Sequence, residues 1–194
     1  MSLRHALLAL LRVSPLTGYD LQKQFSVSVG HVWHAPDSQI YPELRKMEAE
    51  GLIEGEVLPW GTKGKKRQYR VTAKGDQFFV DWMNEPLVYA RVRDPAHLRA
   101  AYLESASTAA AREFFQGHIA HHTEQLGIWE DELEAIDTVS NPMLRRRLAV
   151  TAAAERRKTV AFKRFTYEGL IEQAKGEIAW AQRGLRLLEE LDAD

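Results

Sequence analysis

The stretch Asp37-Ser38-Gln39-Ile40-Tyr41-Pro42-Glu43-Leu44-Arg45-Lys46-Met47-Glu48-Ala49-Glu50-Gly51-Leu52-Ile53 decides how this chain of 194 residues is read. Ile40, Leu44 and Met47 recur at intervals of four and three, which places them on one stripe of a helix facing a core. Asp37 or Ser38 is a natural N-cap for that helix, and Gly51 is placed to stop it at the C′ position. Pro42 fits only if it lies in the first turn, where its missing N–H costs little. At 100° per residue, Ser38, Tyr41, Pro42, Arg45 and Ala49 fall on the opposite side, with Gln39 and Lys46 flanking. That face offers hydroxyl, amide and guanidinium groups suited to base edges and phosphates, and Ala49 leaves room for close approach. It also reads as ordinary solvated surface, with Arg45 and Lys46 balanced by Glu43, Glu48 and Glu50.

The flanking sequence gives this helix its company. Residues 3–13 are apolar at helical spacing and end at Ser14-Pro15. Thr17 can cap a second helix running to Gly30, with Tyr19, Leu21 and Phe25 as its inward positions. Beyond Leu52 the period changes to two: Ile53 and Val57 alternate with Glu54 and Glu56, and Tyr69 and Val71 with Gln68 and Arg70. The segment from Pro59 to Lys66 reads as a glycine-containing hairpin connection kept in water by its lysines. Thr72 can then cap a helix carrying Phe78, Phe79 and Trp82. Three helices, a basic hairpin and a closing helix make a winged helix-turn-helix.

The expected fold is therefore mainly α: an N-terminal winged helix-turn-helix over residues 1–84, then long antiparallel helices over 85–194. Pro86 and Pro95 bracket the change of character. Phe115, Ile119, His122, Leu126, Trp129, Leu133 and Ile136 alternate at four and three residues. Asn141-Pro142 breaks that helix, and Tyr167, Ile171, Ala174, Ile178, Ala181, Leu185 and Leu188 repeat the alternation. Each seam asks for a long partner helix. The two could satisfy one another within a chain, but pairing between chains is the economical expectation.

Composition removes several classes of function. No cysteine is present, so disulfides, thiolate metal ligands and a cysteine nucleophile are excluded. Arg12 ends the apolar run at residues 6–11 and no small-residue cleavage site follows, so the run reads as a buried helix face rather than a secretory signal. No stretch approaches the roughly 20 apolar residues of a membrane span, and the expected location is the cytoplasm, with no membrane partner. A net charge of -1 alone argues against nucleic acid. Its distribution argues the other way: from Val57 to Gly75 the chain carries Lys63, Lys65, Lys66, Arg67, Arg70 and Lys74 with no Asp or Glu.

Five runs also resemble the winged-helix domain of the PadR family of transcriptional regulators: residues 6–11, residues 14–21, Ser38-Gln39-Ile40-Tyr41-Pro42-Glu43-Leu44, Glu50-Gly51-Leu52-Ile53, and residues 67–75. Gln39-Ile40-Tyr41-Pro42 is the most specific. Arg93-Asp94-Pro95 and the helical half resemble, more loosely, the variable C-terminal domain of that family. The resemblance implies a homodimer that binds an inverted-repeat operator on double-stranded DNA and represses nearby genes. In many members a small aromatic or hydrophobic effector releases it. The resemblance puts Tyr19 near the DNA backbone, Ser38, Gln39, Tyr41 and Pro42 at the DNA face, and Lys63 to Arg67 in the wing.

The candidate DNA-contacting set is Thr17, Tyr19, Ser38, Gln39, Tyr41, Pro42, Arg45, Lys46, Lys63, Lys65, Lys66 and Arg67. For an effector, the aromatic candidates are Trp129, Phe162, Phe165 and Trp180; the competing reading is core packing, favoured for the seam residue Trp129. No cofactor, resident metal or enzymatic activity is expected. The alternative reading is a metal-dependent sensor or enzyme built on His118, His121 and His122, since His118 and His122 share a helix face. Ile119-Ala120 stands where a His-Glu-x-x-His peptidase has its base, so that hydrolase is excluded. His122 otherwise reads as a buried, hydrogen-bonded core residue. A third reading makes the winged helix a protein-interaction module.

Overall fold

The computed structural model describes residues 3–27, 36–61, 64–89 and 93–193. Contacts divide the chain into residues 1–88 and 89–194, so residues 85–88 group with the first unit.

In the first unit α1 (Leu3–Leu11), α2 (Gly18–Val27) and α3 (Asp37–Ala49) enclose a core with Leu7, Leu8, Leu21, Ile40, Leu44 and Met47 fully buried. The inward stripe of α3 is thus the one its spacing predicts. Its start differs: Pro36 is the N-cap, with no side-chain cap, and the Gln39 N–H donates to the Pro36 carbonyl at 2.9 Å. Pro42 consequently sits at the sixth helical position, just past the first turn where it was expected. With no N–H to give, it leaves the Ser38 carbonyl without its helical donor at the exposed N-terminal end. The other end closes as expected. Gly51 adopts φ 73°, and the Leu52 N–H reaches back to the Met47 carbonyl at 2.9 Å, a Schellman motif. In α2, Leu21 and Phe25 are buried but Tyr19, expected inward, is 69 % exposed. The helix begins at Gly18, as a Thr17 cap implies, and at 100° per residue Tyr19 lies about 200° around it from Leu21, on the outer side. The expected end at Gly30 lies outside the described residues.

The sheet has the order β1-β3-β2, all antiparallel, with β1 (Leu16–Thr17), β2 (Ile53–Trp60) and β3 (Gly64–Val71). The hairpin connection is shorter than the sequence suggests, because Pro59 pairs with Lys65 and Trp60 with Gly64. Ile53 and Tyr69 at its base are buried, whereas Val57, expected inward, is exposed because the hairpin projects past the helices that cover its base. The two-residue strand β1 carries no periodicity that could announce it. Thr72 caps α4 (Ala73–Asn84) by accepting from the Gly75 N–H at 3.1 Å, and donates its own hydroxyl proton to the Gly51 carbonyl at 2.7 Å. One residue thus joins the end of α3 to the start of α4. A methyl on Gly75 would lie 2.0 Å from the Leu52 carbonyl oxygen, which explains a glycine inside that first turn.

The second unit contains α5 (Pro95–Ala100), a 3₁₀ turn (Leu103–Ser105), α6 (Thr108–Asp137), α7 (Pro142–Val150) and α8 (Ala153–Ala193). Asp94, Ser107 and Asn141 cap α5, α6 and α7 through their side chains, and Pro95 and Pro142 occupy first-turn positions. Antiparallel packing of α6 on α8 follows from the partners. Thr108, at the start of α6, donates to Asp192 at the end of α8, while Trp129 and Ile136 pack with Tyr167, Ile171 and Ala174. The expected pairing of these seams between chains is therefore corrected: they satisfy each other within one chain. The reversal through residues 138–152, with Val139 at φ 51° and the short α7, makes that geometry available.

Candidate nucleic-acid interface

Ser38, Gln39, Tyr41, Pro42, Arg45, Lys46 and Ala49 are all exposed, so the outer face of α3 is the one the 100° step predicts. The three acidic residues expected to balance it have other partners. Arg4 of α1 bonds Glu43 at 2.9 Å and Glu50 at 2.7 Å, and Arg67 of β3 bonds Glu48. Cations of neighbouring elements thereby pair with Glu43, Glu48 and Glu50, and Arg45 and Lys46 are left facing outward.

Tyr41 is held by a close backbone approach. A methyl on Gly18 would come within 2.5 Å of the Tyr41 ring, so any larger residue there would push the ring aside. Tyr41 keeps 43 % of its surface exposed. Gly18 is placed by Thr17, which is buried and forms a reciprocal cap with Asp20. The Thr17 hydroxyl accepts from the Asp20 N–H at 3.1 Å, and Asp20 accepts from the Thr17 hydroxyl at 2.7 Å and N–H at 3.2 Å. Thr17 also pairs with Gln68 of β3, which ties the start of α2 to the wing. With its hydroxyl engaged, Thr17 positions Tyr19 and Gly18.

The wing completes the face. Lys65 is exposed on β3, and the Lys66 ammonium lies 4.3 Å from the centre of the Trp60 ring, a cation–π contact that holds it at the outer strand. Arg67 points back instead. Its bond to Glu48 raises the guanidinium pKa further above its ordinary value, and Glu48 also accepts from the Gly55 N–H at 3.0 Å, so Arg67 fixes wing to helix. Lys63 lies outside the described residues. Between α3 and the wing opens a cavity of about 510 Å³ lined by Tyr19, Tyr41, Trp60, Lys66, Arg67 and Tyr69, among others. Burial pushes the Tyr69 phenol above its ordinary pKa, so it stays a neutral donor. Four aromatic rings, Lys66, the Glu48-paired Arg67 and the Asp20 carboxylate, which is engaged by Thr17, line this hollow, so a planar group that stacks on the rings and meets the Lys66 ammonium suits it. The sequence reading missed Gly18, Glu48 and Trp60. Glu48 and Trp60 carry no local signal of their role, whereas Gly18 between a cap and an exposed tyrosine could have been suspected.

The effector candidates do not converge. Trp129 is 8 % exposed in the α6–α8 core, and Trp180 lies among Phe114, Phe115 and His118. Phe162 and Phe165 are 63 % and 70 % exposed on α8, and Phe165 and Trp180 are separated by roughly 22 Å of helix axis. Of the histidines, His118 and His122 turn toward α8 and His121 is exposed. His122 differs from expectation: its Nδ1 is buried with no hydrogen-bond partner among the described residues. Burial, and then the neighbouring His118 and His121, hold its imidazole below the ordinary range and hence neutral. No helix among the described residues is long and apolar enough to cross a membrane.

Comparison with known proteins agrees with this geometry. Residues 7–81 match the Transcriptional regulator PadR-like family, and residues 92–189 match the Virulence activator alpha C-term family. The chain is 32 % identical over 164 residues to the negative transcriptional regulator PadR of Bacillus subtilis strain 168, an alignment covering 80 % of this chain and 90 % of that one. The crystal structure of Bacillus subtilis PadR in complex with operator DNA superposes with a TM-score of 0.77 at 27 % identity, covering 95 % of this chain and 97 % of that one. PadR of the same organism in complex with p-coumaric acid superposes with a TM-score of 0.67 at 25 % identity, covering 96 % and 95 % of the two chains. Similarity at this level, extending over both units, means that the chain belongs to the PadR-like family of transcriptional regulators.

Proposed function

We propose that this transcriptional regulator is a repressor that binds an inverted-repeat operator as a homodimer, with α3 in the major groove and the wing against the flanking backbone. The observation that carries the reading is the outward face of α3 with Arg45 and Lys46 exposed, while Arg4 and Arg67 engage Glu43, Glu48 and Glu50. Ser38, Gln39, Tyr41 and Arg45 are the base-edge candidates; Tyr19, Lys46, Lys65 and Lys66 are the phosphate candidates. Thr17, Pro42 and Arg67 set their positions, and Lys63 extends the wing lysines in sequence. The relative crystallised with operator DNA supports the partner. No enzymatic step is needed for this role, which belongs in the cytoplasm with the DNA.

Residues 89–194 would pair two copies. Because the two seams are filled within the chain, the surface for a second copy is the apolar outer face of α8, where Phe162, Phe165, Leu187 and Leu191 are exposed. A small aromatic effector would release the DNA by favouring a spacing of the two α3 helices that no longer matches the half-sites. The relative in complex with p-coumaric acid supports an effector of this class. Nuclease footprinting on DNA upstream of the protein's own gene tests the reading. The expected result is two symmetrically related protected half-sites, about one helical turn or a multiple apart. Uniform cleavage at all protein concentrations, with binding equal on any DNA, would contradict it.

A further inference from the structure

We propose that His118 and His122 of α6 and Glu177 of α8 form a binding site for one divalent transition-metal ion of the zinc type. One ligand atom from each of the three lies within 4.8 Å of the others. His118 Nε2 is already 3.1 Å from Glu177 Oε2, and the His118 and His122 ring centres are 4.4 Å apart. In a tetrahedral site with bonds of about 2.1 Å, neighbouring ligand atoms stand roughly 3.4 Å apart, so only a modest rotation of the His122 ring is required. Spacing of four residues on α6 puts both imidazoles on one face, and α8 presents the carboxylate from the opposite side.

A second, independent observation points to a missing electrostatic partner. The buried Nδ1 of His122 has no hydrogen bond among the described residues, although its ring sits in the middle of a well-packed helix pair. A buried polar atom left unpaired is costly, and a cation bound by this ring would supply a reason for its position. The surroundings suit a metal. His118 and Glu177 are only 11 % and 25 % exposed at their side chains, and the Trp180 ring covers His118 edge-on with centres 5.2 Å apart. Two imidazoles and a carboxylate favour zinc, cobalt, nickel or copper over calcium or magnesium. Three protein ligands leave one position for water or a further group. The bound ion would join α6 to α8 at mid-length.

The test is calorimetric titration of the full chain, purified without a polyhistidine tag, with Zn²⁺, and titration with Co²⁺ followed by visible absorption. The expected result is one ion per chain and an intense cobalt band of tetrahedral type. His118→Ala and His122→Ala should each weaken binding by at least about a hundredfold, and Glu177→Gln by at least about tenfold. His121→Ala should leave it unchanged. Saturating Zn²⁺ should raise the thermal midpoint of the wild-type chain by about 5 °C and that of Glu177→Gln by much less. Glu177→Gln keeps the side-chain shape, and native far-UV circular dichroism is required of it before titration, so its result decides the matter. Absence of saturable Zn²⁺ and Co²⁺ binding by the wild type, or undiminished binding by Glu177→Gln and His118→Ala, would overturn the proposal. Neither result touches the DNA-binding reading, whose residues lie in the other unit.

Discussion

The two units bury their apolar residues differently. In residues 1–88 the stripes of three short helices meet from several directions, and Leu7, Leu8, Leu21, Ile40, Leu44 and Met47 lose all contact with water. In residues 89–194 two long helices share a single seam, so most of each helix surface faces outward and Phe162, Phe165, Leu187 and Leu191 stay exposed. A helix pair has too little surface facing inward to cover all its large apolar residues, whereas a helix-and-sheet cluster closes on itself. The first unit has a closed core and presents a mixed face, in which Tyr19, Tyr41 and Trp60 stand exposed beside Arg45, Lys46 and Lys65. The second has the anatomy of half an interface.

The largest effect should come from breaking the closed core. Leu44→Ala removes a fully buried side chain from α3 and should cost about 3 kcal/mol of stability, read as a lowered midpoint in urea denaturation. Next, Phe162→Glu combined with Phe165→Glu should leave far-UV circular dichroism unchanged. It should weaken self-association by at least about a hundredfold, or about 2.7 kcal/mol, measured by sedimentation. If the double variant stays dimeric at low concentration, the outer face of α8 is not the interface and the contrast between the units fails. On the DNA side, Tyr41→Ala should lower operator affinity about tenfold, or about 1.4 kcal/mol, with little change on scrambled DNA. The smallest effect is expected from Lys66→Ala: a loss of about threefold on both DNAs and a salt-dependence slope reduced by about 0.9.

Much of the first unit could be read from the sequence because its signals are local. The four-and-three spacing of Ile40, Leu44 and Met47 fixes the orientation of α3, and Gly51 and Thr72 mark its end and the next helix's start. What could not be read depends on contacts distant in the chain. Strand β1 exists because Leu16 and Thr17 pair with Tyr69 and Gln68, and Arg67 turns inward because Glu48 lies opposite it. Pro42 was placed one or two positions too close to the start of the helix because Pro36, which offers no side-chain cap, precedes its first residue. In the second unit the heptads announce two long helices without naming their partner. The choice between pairing within and between chains turns on the reversal at residues 138–152, which has no periodicity. His122 shows the same limit: its spacing places it on the seam, but only the fold reveals that its Nδ1 has no hydrogen-bond partner among the described residues.

The proposed role of the first unit is that the outer face of α3, with the wing, reads a DNA sequence. Fluorescence-anisotropy titration of the full chain tests it most directly, using labelled DNA from upstream of its own gene, a scrambled duplex of equal length, and several salt concentrations. Binding to the upstream DNA should be at least about a thousandfold tighter than to the scrambled duplex, and should weaken steeply on both as salt rises. Equal affinity for the two duplexes at every salt concentration, or no salt-dependent binding to either, would contradict it.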